Sequence, residues 1–67
     1  MELEDWYKEV TETVVRAVCI EDGRRYDRWR KKMKIKAVRK YHYKTVALYL
    51  LHRHLQGKDI TRYGLWI

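Results

Sequence analysis

The stretch Arg24-Arg25-Tyr26-Asp27-Arg28-Trp29-Arg30-Lys31-Lys32-Met33-Lys34-Ile35-Lys36-Ala37-Val38-Arg39-Lys40 holds most of the chain's capacity for chemistry. Placed on a helix with Tyr26, Trp29, Met33 and Ala37 inward, it gathers Arg24, Arg28, Lys31, Lys32 and Arg39 on the opposite face, with Arg25 and Lys36 at its flanks. Like charges at i, i+4 weaken a helix by a few tenths of a kcal/mol per pair. A polyanion relieves that repulsion and releases counterions on binding. Arginine donates two parallel hydrogen bonds to a phosphate, and lysine adds undirected attraction. The pattern predicts a nucleic-acid contact, DNA or RNA, through Arg24, Arg25, Arg28, Lys31, Lys32, Lys36 and Arg39. Tyr43, beside the run, is a candidate for stacking on an unpaired base.

Three other readings compete. The basic face can dock on an acidic protein partner, making the chain an adaptor or inhibitor. It can rest on an anionic membrane surface as an amphipathic helix; the inward Tyr26 and Trp29 stripe speaks against this, since the fold needs it. The acidic residues Glu2, Glu4, Asp5, Glu9 and Glu12 can shield the basic face, or simply form the wet side of their own helix.

The charge is segregated along the chain. Residues 1–22 carry seven acidic and two basic side chains, whereas residues 23–44 carry eleven basic and one acidic. The net charge is +7 over 67 residues. With 46% hydrophobic residues the chain has material for a core, so it is not a disordered basic tail.

The residues that could catalyse or bind metal do not assemble. His52 and His54 point about 160° apart on a helix, and a zinc site finds no four-ligand set beside the single Cys19. Cys19 lacks a flanking motif and reads as a small buried or half-buried residue. No serine is present, and Gly23, Gly57 and Gly64 form no phosphate loop. The expectation is a binding protein with no catalytic residues, no metal and no cofactor.

These residues need helices to position them. An acidic amphipathic helix is expected over 3–20, from Leu3, Tyr7, Val10, Val14, Ala17 and Val18 at helical spacing. Gly23 then reads as a left-handed helix stop. Asp22-Gly23 as a hairpin turn ranks second, because residues 24–32 lack strand alternation. A basic helix over 24–41 follows, then an apolar helix over 45–56 ending at Gly57, with Thr45 as its cap. One continuous helix over 24–56 would span roughly 50 Å, so a break near Tyr41–Thr45 is expected. A helix-turn-helix centred on Gly57 fails, since Arg53 stands where a small buried residue belongs.

The sequence thus predicts a single all-α domain of two to three helices with a tail over 58–67. Residues Val46 to Leu51 are apolar on every side of a helix, which predicts a homodimer through Val46, Tyr49 and Leu50, with Trp66 of the tail as an anchor. One cysteine, no apolar run of membrane-spanning length and an acidic N-terminus predict an intracellular location, cytoplasmic or with the nucleoid or nucleus.

Overall fold

The computed structural model describes residues 7–36 and 39–65. Among them a short 3-10 turn, Tyr7–Glu9, leads into helix α1, Glu12–Lys32; helix α2, Tyr43–Leu55, follows, and a second 3-10 turn, Thr61–Tyr63, lies in the tail. No strand occurs among the described residues. The chain is all-helical, as the sequence predicts.

Helix α1 starts where Thr11 can cap it. The Thr11 side chain accepts a hydrogen bond from the Val14 N–H at 3.3 Å, which satisfies one of the unpaired donors of the first turn. Glu12 and Arg16 bridge at 2.8 Å across one turn. Inward, Val14, Val18, Asp22 and Tyr26 recur at every fourth residue, followed by Trp29, and all five are buried.

Three expected boundaries change. The first helix does not stop at Gly23: α1 runs through it to Lys32. The change of direction falls on Asp22, whose backbone (φ −125°, ψ 21°) leaves the helical region. Gly23 is not left-handed; Gly57 and Gly64 are the glycines of positive φ among the described residues. The helix continues because Tyr26 and Trp29 have a core to enter. Of the residues expected in the first helix, Leu3 and Trp6 lie outside the described residues, and Tyr7 falls in the 3-10 turn.

The basic helix ends at Lys32 rather than Tyr41. Lys34 adopts a left-handed backbone (φ 55°). Its N–H bonds to the Lys31 carbonyl at 3.2 Å, and the Ile35 N–H to the Arg30 carbonyl at 3.1 Å. This is a Schellman stop, with Ile35 half-buried against the core. The expected inward stripe therefore breaks: Met33 is 54% exposed, and Ala37 lies outside the described residues. The cap of α2 is His42 rather than Thr45. His42 Nδ1 accepts from the Lys44 N–H at 3.2 Å, while Thr45 is buried within the helix. The far end of α2 stops as the sequence predicts, with Gly57 left-handed (φ 78°) and the Lys58 N–H on the Arg53 carbonyl at 3.1 Å.

The core is built from three pieces. Val14, Val18, Tyr26 and Trp29 of α1 meet Val46, Ala47, Tyr49 and Leu50 of α2, and Ile60, Tyr63 and Leu65 of the tail close over them. The Tyr26 ring stacks on Tyr41 at 4.8 Å and meets Tyr49 edge-on at 5.2 Å, geometries that aromatic quadrupoles favour. The Tyr26 hydroxyl donates to the Lys40 carbonyl at 2.5 Å, fastening the segment between the helices.

This packing corrects the expected dimer surface. Val46, Tyr49 and Leu50 are at most 2% exposed within the single chain, so a second subunit cannot reach them. A kinked 21-residue helix plus the tail covers more of α2 than one short helix would. Trp66 lies outside the described residues.

Candidate functional site

The second half of α1 keeps Arg24, Arg25, Arg28, Lys31 and Lys32 exposed. At about 100° per residue they occupy an arc of about 120°, opposite Tyr26. Arg24, Arg28 and Lys32 follow one another at i, i+4 spacing. None of these three forms an ion pair with a carboxylate among the described residues.

Their neighbours are partly neutralised. Lys31 lies 3.8 Å and Lys40 3.2 Å from the Asp27 carboxylate. A hydrogen bond from Lys40 holds the Asp27 carboxyl below the usual range, helped by the charges of Lys40, Lys31 and Arg30. Arg25 lies 3.9 Å from Asp22. Arg30 turns aside, its guanidinium 6.0 Å from the centre of the Tyr26 ring.

Not all of the expected contact residues share this face. Lys36 is exposed in the segment after α1 rather than on the helix. Arg39 and Tyr43 border a different cleft, of about 510 Å³, beside Glu12 and Arg16 at the start of α1. The Tyr43 ring already stacks on His42, at 4.5 Å between centroids. Among the described acidic residues, Glu12 pairs with Arg16 and Glu21 with Arg62 rather than with the basic run. Glu2, Glu4 and Asp5 lie outside the described residues.

Between the two helices lies a groove of about 260 Å³. Arg25, Arg28 and Lys32 border it from α1, and His52, Arg53 and Gln56 from the end of α2. The buried rings of Trp29 and Tyr49 lie between them, and no carboxylate lines it. The groove therefore offers cations and hydrogen-bond donors from both helices.

No protein family, curated protein or solved structure matches this chain. What the site can do therefore follows from its own chemistry.

Arg53 is positioned from inside the protein. Its guanidinium lies 5.9 Å from the centre of the Tyr49 ring, and its Nε stands 3.8 Å from Asp22 Oδ2. Asp22, only 5% exposed, accepts hydrogen bonds on that same oxygen from the hydroxyls of Tyr49, at 3.1 Å, and Tyr63. Burial raises both tyrosine pKa values, and the neighbouring carboxylate raises them further, Tyr63 to about 12.

Sequence reasoning missed Asp22, Arg53 and Gln56 and considered His52 only for metal. The signal for Asp22 was present: it stands at the fourth-residue spacing between Val18 and Tyr26, on the inward stripe. Cys19 is exposed, contrary to the expected burial. Among the described residues no cluster of three His, Cys, Asp or Glu is placed to hold a metal, and no helix is long and apolar enough to cross a membrane.

Proposed function

We propose that this chain is a small nucleic-acid-binding protein that contacts backbone phosphates through the second half of α1 and performs no catalysis of its own. The observation that carries the reading is the row Arg24, Arg28 and Lys32: exposed, one turn apart, and without a carboxylate partner among the described residues. Such a row repels itself, and a phosphate backbone relieves the repulsion. An intracellular site of action belongs to the same reading.

A second reading, docking on an acidic protein, is favoured by α2. Leu55 is 77% and Leu48 37% exposed, and α2 contains no carboxylate. Those leucines are also what α2 retains for contact with a second copy.

A salt titration separates the readings. Binding to duplex DNA, single-stranded DNA and structured RNA is measured at rising salt. Phosphate contact gives a linear fall of log affinity with log salt, with a slope of several units. Failure of all three probes at low salt discards the nucleic-acid reading and leaves the acidic protein.

A further inference from the structure

We propose that the groove between α1 and α2 is a subsite for a phosphate group, filled by the backbone of a strand lying along α1. The inference rests on the nucleic-acid reading and extends it to residues of α2.

The lining is chemically one-sided. Arg25, Arg28, Lys32, His52, Arg53 and Gln56 all carry N–H groups and no carboxylate lines the groove; the buried Asp22 lies 3.9 Å from Arg25 and 3.8 Å from Arg53 and leaves Arg28, Lys32, His52 and Gln56 to a ligand. Arg25, Arg28 and Lys32 belong to both the outer face of α1 and the groove. A strand following that face thus passes the groove mouth.

Arg53 is preset for such a ligand. The guanidinium lies against Tyr49 with its Nε nearest Asp22, and its Nη atoms donate to no other described residue. A fork already held in place loses little freedom when it binds an oxyanion, which is why positioned arginines favour phosphate.

Trp29 supplies an independent sign. It lines the groove and is 8% exposed, yet its indole N–H is buried with no acceptor. A buried donor left without an acceptor is costly. The indole N–H only donates, so a phosphate oxygen suits it and a cation does not.

The test uses the full chain labelled with nitrogen-15 at low salt. A short oligothymidylate is titrated in one arm and inorganic pyrophosphate in the other. The readouts are the Trp29 indole signal and the backbone amides of His52 and Gln56, with the backbone amides of Thr13 and Thr61 as references. The expected result is that the oligothymidylate moves the Trp29, His52 and Gln56 signals. The double variant His52→Ala/Gln56→Ala should then bind it about tenfold more weakly, a loss of about 1.4 kcal/mol. Both replaced side chains are exposed, so an unchanged melting temperature confirms that the fold is intact.

An oligothymidylate that binds and shifts Arg24 and Lys31 but leaves Trp29, His52 and Gln56 in place overturns the groove and spares the nucleic-acid reading. Shifts with pyrophosphate alone overturn the strand as the source, and that reading with it. Silence in both arms overturns the subsite.

Discussion

Tyr63, in the tail, donates its hydroxyl proton to Asp22, at the kink of α1, across 41 residues of sequence. Tyr49 of α2 donates to the same carboxylate oxygen, so one buried acid joins all three pieces of the core. Replacing Asp22 with Ala leaves two buried hydroxyls without their acceptor and the Arg53 guanidinium without its nearby opposite charge. Breaking a buried charged cluster costs about 3 kcal/mol or more, against a total on the order of 3–10 kcal/mol for a domain this small. Asp22→Ala should therefore lose about a third or more of the chain's stability, read as a much lower urea midpoint by circular dichroism. Asp22→Asn keeps one acceptor oxygen and should lose less. Equal stability of Asp22→Ala and the parent chain would dismiss the node.

Alkaline pH should unfold the chain. The unfolded phenol has a value of 10.0, whereas burial lifts Tyr26 and Tyr63 to about 12 and Tyr49 higher still. The folded chain therefore holds these protons more tightly than the unfolded chain does. Their contribution to stability is complete below pH 10 and drains away as the pH rises through 12. Helix content and the phenolate absorbance of the buried tyrosines, followed together, should change in one cooperative step above pH 10. Phenolate appearing in full while the helices persist would contradict the packing of these rings.

Much of this architecture can be read from the residues, and the failures have local causes. The inward placement of Tyr26 and Trp29, the stop at Gly57 and the exposed row on α1 follow from spacing alone. Asp22 and Gly23 mislead because an Asp-Gly pair favours turns, and a turn propensity is weak beside the burial of Tyr26 and Trp29. The stop at Lys34 leaves no mark in the sequence, because lysine rarely adopts a left-handed backbone. The dimer expectation fails at Val46, Tyr49 and Leu50 because the covering power of the tail was invisible without its fold. The site was half legible: its α1 side followed from charge, whereas Arg53 depends on long-range contacts with Asp22.

The glycine and lysine corrections can be tested by stability. Gly23 sits inside α1, and an added Cβ there would meet the Tyr41 hydroxyl at 3.6 Å, an ordinary contact. Gly23→Ala should thus stabilise by about 0.5–1 kcal/mol through helix propensity. Lys34→Gly should stabilise by a similar ~0.5–1 kcal/mol, the left-handed penalty less the extra freedom glycine has when unfolded. Gly57→Ala should destabilise by about 1 kcal/mol, although its surroundings leave room for the methyl group. Urea midpoints of the three variants decide the matter. A destabilised Gly23→Ala would restore the left-handed stop that the sequence alone implies.

The basic row makes the sharpest functional prediction, because removing it should cost binding but not folding. Arginine and lysine are close to alanine in helix propensity, and the triple variant Arg24→Ala/Arg28→Ala/Lys32→Ala also removes two like-charge i, i+4 pairs. Its melting temperature should stay level or rise slightly. Each lost phosphate contact lowers the salt slope by about 0.9 on duplex and about 0.7 on single strands. The slope should therefore fall by about 2–3 units, with weaker binding at low salt. The comparison that isolates position from charge is Lys36→Ala/Arg39→Ala. It removes two cations that stand off the helical face, in the segment after α1 and beside the cleft at its start. If position matters, this double variant should change the slope by less than one unit, about one contact's worth. Equal losses per cation in the two variants would mean that diffuse charge, rather than the geometry of α1, holds the strand.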